Sequence, residues 1–396
     1  MKILSFCKKI IKKGLSIITK RWKKYLTEKA INRYLLCDYK RAANFLKIHT
    51  SYALCQLSAK EKHEIDEFWA QYGVKFPDYT WFQMYYSVTG IHSPKFLVNI
   101  FVFSVLYNYY NNQEDVLGWD DKNIYEKLVH NVKFPESLAH KINGRYYDDE
   151  YKPYDNTEDG LKRLSERIYS KLNGETDLIV KMSKGSFAGK GVMLIKDIHS
   201  ANDVMAILQE NGARNYIMQR KIEQHPFFSQ FCSTSVNIIR LITWHDGNEV
   251  KIFSATIRFG IEGSVTDVTY VNGKEIVNVV GVNEDGIING KFMSFDGIAE
   301  NHPIIIDKQV PSWKKLRNAV VEAHKEMFHF DLIGWDFTID KGGNPICIEY
   351  NIKRPGTILY QYTNGPLAGK YTEEFLAFLK DRSDLIPPLF RLKPKK

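Results

Sequence analysis

Two acidic residues near the end of the chain occupy positions at which a β-hairpin would place them side by side. Residues 334–351 read GWDFTIDKGGNPICIEYN, with alternating runs on either side of a glycine pair that suits a two-residue turn. If that pair forms the turn, Asp336 lies directly opposite Glu349. Like charges at opposite positions destabilise a sheet, so the pairing requires a compensating positive charge. A hard divalent cation would supply it; the alternative is a solvated face whose acids point into water.

Strict alternation assigns the hairpin residues to two faces. The apolar face is predicted to contain Trp335, Phe337, Ile339, Ile346, Ile348 and Tyr350. The polar face is predicted to contain Asp336, Thr338, Asp340, Cys347, Glu349 and Asn351, with Lys341 facing Asn344 across the turn. The two carboxylates and the Asn351 amide are therefore candidate ligands for Mg²⁺.

A glycine-rich loop lies between two strand-like runs earlier in the chain, in KMSKGSFAGKGVMLI. Gly185, Gly189 and Gly191 allow successive backbone N–H groups to point inward around an anion. Lys181, at the end of the first run, adds a positive charge beside bound phosphates. The pattern is neither a P-loop nor GxGxxG, and alone it is equally typical of a surface hairpin. Together with downstream magnesium ligands it indicates ATP chemistry.

Positive charge is concentrated at the amino terminus. Residues 1–50 contain 14 Lys and Arg against two acids, whereas the whole chain carries +9, so the remainder is net acidic. The stretch MKILSFCKKIIKKGLSIITKRWKKYL has apolar residues at roughly helical spacing, which predicts a basic amphipathic helix suited to an anionic membrane surface. A helix packed on the body with a solvated lysine face is the alternative. Nothing else in the chain is typical of a nucleic-acid reader.

Composition and cysteine usage indicate an ordinary globular protein of a reducing cytoplasm. The 396 residues suffice for two or three packed subdomains. Five scattered cysteines without a CxxC pair predict neither a disulfide framework nor a zinc site. No signal peptide is visible, and the longest apolar run, residues 97–106, is too short to span a bilayer.

The local patterns predict a mainly helical region followed by mixed α and β structure. Residues 51–118 are predicted to be helical and are rich in aromatic residues. After residue 118 the sequence shows alternating strand and helix signals. The predicted elements are helices at 121–130, 159–172, 200–210 and 312–328, strands on both sides of the glycine loop, a buried strand at 216–219, and β structure over 233–295.

The paired motifs resemble the ATP-grasp superfamily, which includes D-alanine–D-alanine ligase, biotin carboxylase and glutathione synthetase. The stretches YIMQRKIEQHPFFSQFCSTSVNIIRLIT, FSATIRFG and GWDFTID are similar to the sugar-transfer-associated ATP-grasp proteins encoded among surface-polysaccharide genes. The resemblance implies an α+β ATP-grasp fold, two α+β lobes with ATP between them, preceded by a mainly helical region. The implied segments are 1–50, 51–118, a small lobe at 119–218, a large lobe at 219–387 and a basic tail at 388–396.

The resemblance also implies roles for individual residues. Nucleotide contacts fall to Lys122, Lys181, Gly185, Ser186, Gly189 and Gly191, and the adenine hinge to Gln219, Arg220 and Ile222. Asp336, Glu349 and Asn351 would bind Mg²⁺. Catalytic candidates are Arg258, Arg240 and Asn237, although strict alternation puts the last two on opposite faces, and Arg354 and Gly356 would contact substrate. Three of these residues could instead have a purely structural role. Lys122 could be a lysine on a helix surface, Arg258 an arginine on a strand surface, and Arg354 a loop cap.

The family's reaction implies an ATP-dependent carboxylate–amine ligase that uses ATP and Mg²⁺ and releases ADP and phosphate. Its partners would be a small-molecule carboxylate and an amine, such as an amino acid and a sugar, with no nucleic acid. The expected location is cytoplasmic, at the inner membrane face. A kinase that phosphorylates a hydroxyl, or a non-catalytic membrane-associated binding protein, are the alternatives.

Overall fold

The computed structural model describes residues 29, 32–33, 36–47, 54–186, 189–271, 274–294, 297–298 and 306–392. The predicted basic helix of residues 1–26 lies outside these residues. Contacts divide the chain into one unit of residues 1–105 and 376–396 and a second of residues 106–375. In the part that is described, no helix combines the length and apolar content needed to cross a membrane.

The first unit is helical and packed around aromatic rings. Its elements are the helical residues 36–47, α1 (Ala59–Ala70), α2 (Thr80–Thr89), α3 (Asn99–Phe101), and two 3-10 turns at Ala377–Lys380 and Ser383–Leu385. The π-helical turn Val102–Leu106 follows α3 and ends at the first residue of the second unit. Phe76 contacts the edges of Trp69, Phe101 and Phe390, with ring centroids 4.9 to 5.8 Å apart. Such edge-to-face packing stabilises the unit beyond the burial of apolar area alone.

The second unit begins with short helices. They are α4 (Tyr107–Tyr110), α5 (Gln113–Trp119), a 3-10 turn at Lys122–Ile124 and α6 (Tyr125–Leu128). The single helix predicted over 121–130 is wrong in extent, because Val129 already has an extended backbone. Asp121 caps the 3-10 turn by accepting a hydrogen bond from the Asn123 N–H, which fixes Lys122 at the start of the turn.

A six-stranded antiparallel sheet follows, in the order β3-β2-β1-β6-β4-β5. Its strands are β1 (Ser137–Ile142), β2 (Arg145–Asp148), β3 (Pro153–Tyr154), β4 (Leu178–Met182), β5 (Val192–Ile195) and β6 (Tyr216–Arg220). Two helices, α7 (Glu158–Leu172) and α8 (Ala201–Glu210), pack on one face. Leu178 and Val180 of β4 join that core, so alternation directs Ile179 and Lys181 to the opposite face.

A second, eight-stranded antiparallel sheet runs in the order β12-β11-β10-β8-β7-β13-β14, with β9 paired to β10. Its strands are β7 (Ile238–His245), β8 (Val250–Phe259), β9 (Val268–Val271), β10 (Lys274–Val282), β11 (Ile288–Ser294), β12 (Gly297–Ile298), β13 (Leu332–Ile339) and β14 (Pro345–Asn351). The remaining helices are α9 (Trp313–Glu326), α10 (Ile358–Asn364) and α11 (Thr372–Leu376). Leu316 and Val320 of α9 share a core with Trp335 and Phe337 of β13.

The β13–β14 hairpin confirms the central pairing and corrects its surroundings. Asp336 pairs with Glu349, as predicted, but the register shifts at the next position, where Phe337 pairs with Cys347. The turn has three residues rather than two, because the N–H of Asp340 donates to the carbonyl of Asn344. The predicted facing of Lys341 and Asn344 is therefore wrong.

The register shift is a β-bulge that places one extra residue in β14. Cys347, predicted on the polar face, joins the hydrophobic core, and Ile348, predicted on the apolar face, lines the pocket described below. Both assignments failed for one reason, because the extra residue interrupts the alternation on which they depended.

Candidate active site

One pocket in residues 106–375 is lined by both sheets and by the loops between them. Its charged and polar lining residues include Lys122, Lys181, Ser186, Gln219, Arg220, Arg240, Arg258, Asp267, Asp336, Glu349, Asn351 and Arg354. Its apolar lining residues include Pro135, Ile179, Val192, Leu194, Ile222, Val236, Ile238 and Ile348. A concave site with an apolar wall and a few convergent polar groups is typical of small-molecule binding.

The wall on the six-stranded sheet is built by alternation along two paired strands. Ile179 and Lys181 share one face of β4, and Val192 and Leu194 share the same face of β5. Loss of hydration lowers the pKa of the Lys181 ammonium to about 8, and repulsion from Lys122 acts in the same direction. The charge of a bound anion would oppose both effects by attracting the ammonium, so phosphate binding would favour the charged form of Lys181.

The glycine loop connects these strands and has the left-handed backbone that glycine permits. Gly185, Gly189 and Gly191 have φ angles of 66°, 71° and 77°. Gly189 and Ser186 line the pocket, whereas Gly185 and Gly191 shape the loop without lining it. A Cβ atom at Gly189 would lie 2.4 Å from Oγ1 of Thr266, so the loop lies directly against the segment before β9.

The strand β6 and the residues after it form the hinge side of the pocket. Gln219, Arg220, Lys221 and Ile222 all line it. The Arg220 guanidinium forms ion pairs with Glu136 and Glu175, both at 2.8 Å, so this side chain is held by acids of its own lobe.

The hairpin places Asp336, Glu349 and Asn351 together in the pocket lining. The Arg240 guanidinium donates two hydrogen bonds to the Asp336 carboxylate, and the Asn351 amide donates a third over 3.2 Å. Burial alone would raise the pKa of Asp336, but the Arg240 charge and its hydrogen bonds hold that pKa below the usual value. Asp336 is therefore ionised at neutral pH.

Glu349 has a different counterion. Nζ of Lys122 lies 3.0 Å from its Oε1 and 3.4 Å from Oγ of Ser186 in the glycine loop. The compensating positive charge predicted for the two acids is thus supplied here by two side chains, one for each carboxylate. Lys122 is a pocket residue and does not lie on an exposed helix face.

A second buried ion pair was not predicted. Nε of Arg258 lies 2.8 Å from Oδ2 of Asp267, and both side chains are about nine-tenths buried in the pocket wall. Burial raises the pKa of Asp267, and the Arg258 charge only partly opposes it. The sequence around Asp267, SVTDVTY, contains no motif, so only the folded structure pairs it with an arginine.

Four predicted site residues are not brought to the pocket lining: Gly185 and Gly191 of the glycine loop, Asn237 and Gly356. Asn237 is completely buried, and its amide nitrogen donates to carbonyl oxygens of Phe228 and Cys232, each over 2.9 Å. Those contacts hold the segment before β7, away from the pocket lining, and a catalytic role for Asn237 stays a prediction. Gly356 has a φ of 72° in the loop before α10 and shapes that loop without lining the pocket, whereas Arg354 lines it.

Comparisons with known proteins give a family and a set of structural neighbours. A family model described as sugar-transfer associated ATP-grasp matches residues 104–375. No curated protein matches the chain. Similar solved structures include the ATP-grasp ligase PsnB with a minimal precursor, at 13% identity and a TM-score of 0.38, with 68% of this chain and 63% of that chain covered.

Two further neighbours are the ADP complex of N5-carboxyaminoimidazole ribonucleotide synthetase and D-alanyl-alanine synthetase A from Vibrio cholerae. The first has 12% identity and a TM-score of 0.37, with 70% of this chain and 55% of that chain covered. The second has 10% identity and a TM-score of 0.41, with 68% and 67% covered. The chain thus spans less than two thirds of PsnB and of the ribonucleotide synthetase. The family model spans well over half of the sequence, and on that ground the chain belongs to the sugar-transfer-associated ATP-grasp family.

Proposed function

We propose that this protein is an ATP-dependent carboxylate–amine ligase that forms an amide through an acyl phosphate. The observation that carries the proposal is the composition of the pocket. Lys122, Lys181 and the glycine loop on one side face the two hairpin carboxylates, an amide and three arginines on the other. Phosphoryl transfer depends on positioning and charge neutralisation more than on protein nucleophiles, and these groups supply both.

The apolar wall suits the base of a nucleotide, and the lysines suit its phosphates. Ile179, Leu194, Ile222 and Ile348 offer faces for a planar ring, with backbone groups of the hinge nearby for its polar edge. Lys181 and the loop N–H groups would bind the phosphates. The glycine loop, held against Thr266, would exclude water from the reacting groups.

The donor set on the hairpin fits Mg²⁺. Asp336 and Glu349 offer carboxylate oxygens and Asn351 an amide oxygen, the hard ligands that this ion prefers together with nucleotide phosphates. An ionised carboxylate has about four acceptor positions, so the Arg240 pair leaves Asp336 able to accept further contacts. When bound, the ion would neutralise phosphate charge and orient the transferred group.

The reaction has two steps. An oxygen of the substrate carboxylate bonds to the γ-phosphorus as the bond to the β-phosphate oxygen breaks, which releases ADP. The amine nitrogen then bonds to the acyl carbon, phosphate leaves, and the nitrogen loses a proton. Arg240, Arg258 and Arg354 place guanidinium groups in the pocket for the carboxylate and the transferred phosphoryl group.

A place in cell-surface polysaccharide synthesis at the inner membrane face is part of the proposal. The sugar-transfer association of the family supports it. The basic composition of residues 1–50 supports contact with anionic lipid, and the acceptor would then be an amino acid or an amino sugar on a lipid-linked precursor.

The experiment is ADP release by the full chain with Mg²⁺ and a panel of carboxylates and amines, with hydroxylamine as a trap. A hydroxamate forms from an acyl phosphate, so its appearance supports the ligase. The Glu349→Gln variant should lose this turnover. ADP release that requires a hydroxyl substrate and yields no hydroxamate would identify a kinase instead, and absence of nucleotide binding would overturn both.

A further inference from the structure

A cysteine, a glutamate and a histidine converge in the first unit, in residues to which no function has been assigned above. Sγ of Cys55 lies 3.9 Å from Nε2 of His92, and Oε1 of Glu61 contacts Nδ1 of the same ring. One potential ligand atom from each residue lies within 4.8 Å of the other two. Among the described residues, these are the only three such side chains grouped this closely.

The Cys55 backbone and the His92 ring each make a further contact with α2. The Cys55 N–H donates to Oγ of Ser87 over 2.9 Å, which ties the segment before α1 to α2. The His92 ring stacks on Tyr86 at a centroid distance of 4.8 Å. Supporting contacts of this kind orient metal ligands in folded proteins.

Glu61 is the third residue of α1 and belongs to a capping box. Its Oε2 accepts a hydrogen bond of 2.7 Å from the Ser58 N–H, while Oγ of Ser58 accepts from the Glu61 N–H. The cap employs one carboxylate oxygen and leaves the other directed at His92. The helix start therefore presents a fixed oxygen towards the thiol and the imidazole.

We propose that Cys55, Glu61 and His92 bind a zinc ion, with a water molecule as the fourth ligand. Thiolate, imidazole and carboxylate are the ligand types of tetrahedral zinc, with bonds of about 2.0–2.3 Å that put ligand atoms roughly 3–4 Å apart. The thiol and the carboxylate now contact opposite nitrogens of the ring, so a rotation of the His92 side chain is needed to turn one nitrogen towards an ion held by Cys55 and Glu61. His92 is half exposed and can make such a rotation.

Bound zinc would cross-link the segment before α1, the start of α1 and the loop after α2. The spacing of the cysteines did not predict this site, because its three ligands are of different types. Glu61 and His92 are 31 residues apart, and Cys55 and His92 are 37 residues apart.

The test is titration of the metal-free full chain with Co²⁺, followed by displacement with Zn²⁺, without nucleotide. The wild type should bind one equivalent at this site and show the near-ultraviolet charge-transfer band of a cobalt thiolate with the visible bands of four-coordinate cobalt. Zinc should abolish these bands and raise the melting temperature. Cys55→Ser should lose the charge-transfer band and the zinc-dependent rise in melting temperature.

Two further variants separate ligation from folding. Glu61→Gln keeps the capping box, since glutamine serves at that position, and should weaken zinc affinity by about 10- to 100-fold while the thiolate band remains. Cys37→Ser, which removes an exposed cysteine, should leave every signal unchanged. A thiolate band that is absent from the wild type, persists in Cys55→Ser or disappears in Cys37→Ser would overturn the proposal.

Discussion

Lys122 and Glu349 form an ion pair across 227 residues of sequence, with Nζ 3.0 Å from Oε1. The same ammonium contacts Ser186, so one side chain joins the hairpin to the glycine loop. A bound nucleotide would compete for that ammonium and leave Glu349 available to a metal ion. The pair thus couples the two halves of the pocket.

Substitution of Lys122 tests this coupling. Lys122→Met should weaken Mg·ADP binding by roughly tenfold, because one charge-assisted contact to phosphate is lost. Calorimetry on the purified chain measures it. Lys162→Met, on the exposed side of α7, removes the same charge away from the pocket and should bind as the wild type does; equal losses in both variants would contradict the assignment.

The two acids should differ in their effect on stability. The Asp336 and Arg240 side chains are 5% and 17% exposed, whereas Glu349 is 26% exposed. Asp336→Asn leaves a buried guanidinium without its counter-charge and should lower the free energy of unfolding by about 3 kcal/mol. Glu349→Gln should cost less, because its side chain is more exposed and water can partly replace the lost charge beside Lys122. Urea denaturation measures both, and equal costs would refute this difference.

The pKa of Lys181 predicts how nucleotide affinity varies with pH. Below its pKa of about 8 the free protein carries the ammonium, and above it the charge is lost. Bound phosphates raise that pKa, so the Kd for ADP should increase above pH 8, by up to about tenfold per pH unit.

An arginine at the same position provides the control for that titration. Lys181→Arg stays charged across this range and should show a flat profile between pH 8 and 9.5. A wild-type profile that is equally flat would exclude Lys181 as the source.

The contact between Gly189 and Thr266 predicts a steric effect on the loop. Gly189→Ala would bring a methyl group against Oγ1 and should raise the KM for ATP, while the melting temperature changes little. Gly174→Ala has a comparable positive φ of 88° with open space around it, so it controls for backbone strain alone.

A second substitution separates the steric cause. Removing the hydroxyl in a Gly189→Ala, Thr266→Ala double variant should recover part of the lost affinity. No recovery, measured in the same steady-state assay, would mean that the strained backbone rather than the clash is responsible.

Local patterns predicted most elements of the second unit well. The helix over 159–172 and the strands around the glycine loop were correct, because hydrophobic periodicity and glycine placement dominate there. The pairing of Asp336 with Glu349 was also correct. The turn assignment was wrong, and the bulge compensated for it, so the predicted register holds from Asp336 outward and fails only between the bulge and the turn.

The features that the sequence did not reveal depend on contacts between distant residues. Asp267 forms its ion pair with Arg258, which lies on a different segment of the chain. Ile179 and Leu194 face the pocket because α7 and α8 cover the other face of their sheet. The placement of Asn237 depends on distant contacts in the same way. Its amide nitrogen donates to the carbonyl oxygens of Phe228 and Cys232, and no local sequence pattern predicts these contacts.

The bulge in β14 makes two consecutive side chains, Ile348 and Glu349, point into one cavity. In a regular strand, neighbouring side chains point to opposite faces, so only one of Ile348 and Glu349 could have faced the pocket. In this protein the distance between an aliphatic contact and an anionic contact is set by a single peptide unit. A change in the length of another loop would therefore leave the spacing between the Ile348 and Glu349 side chains unchanged.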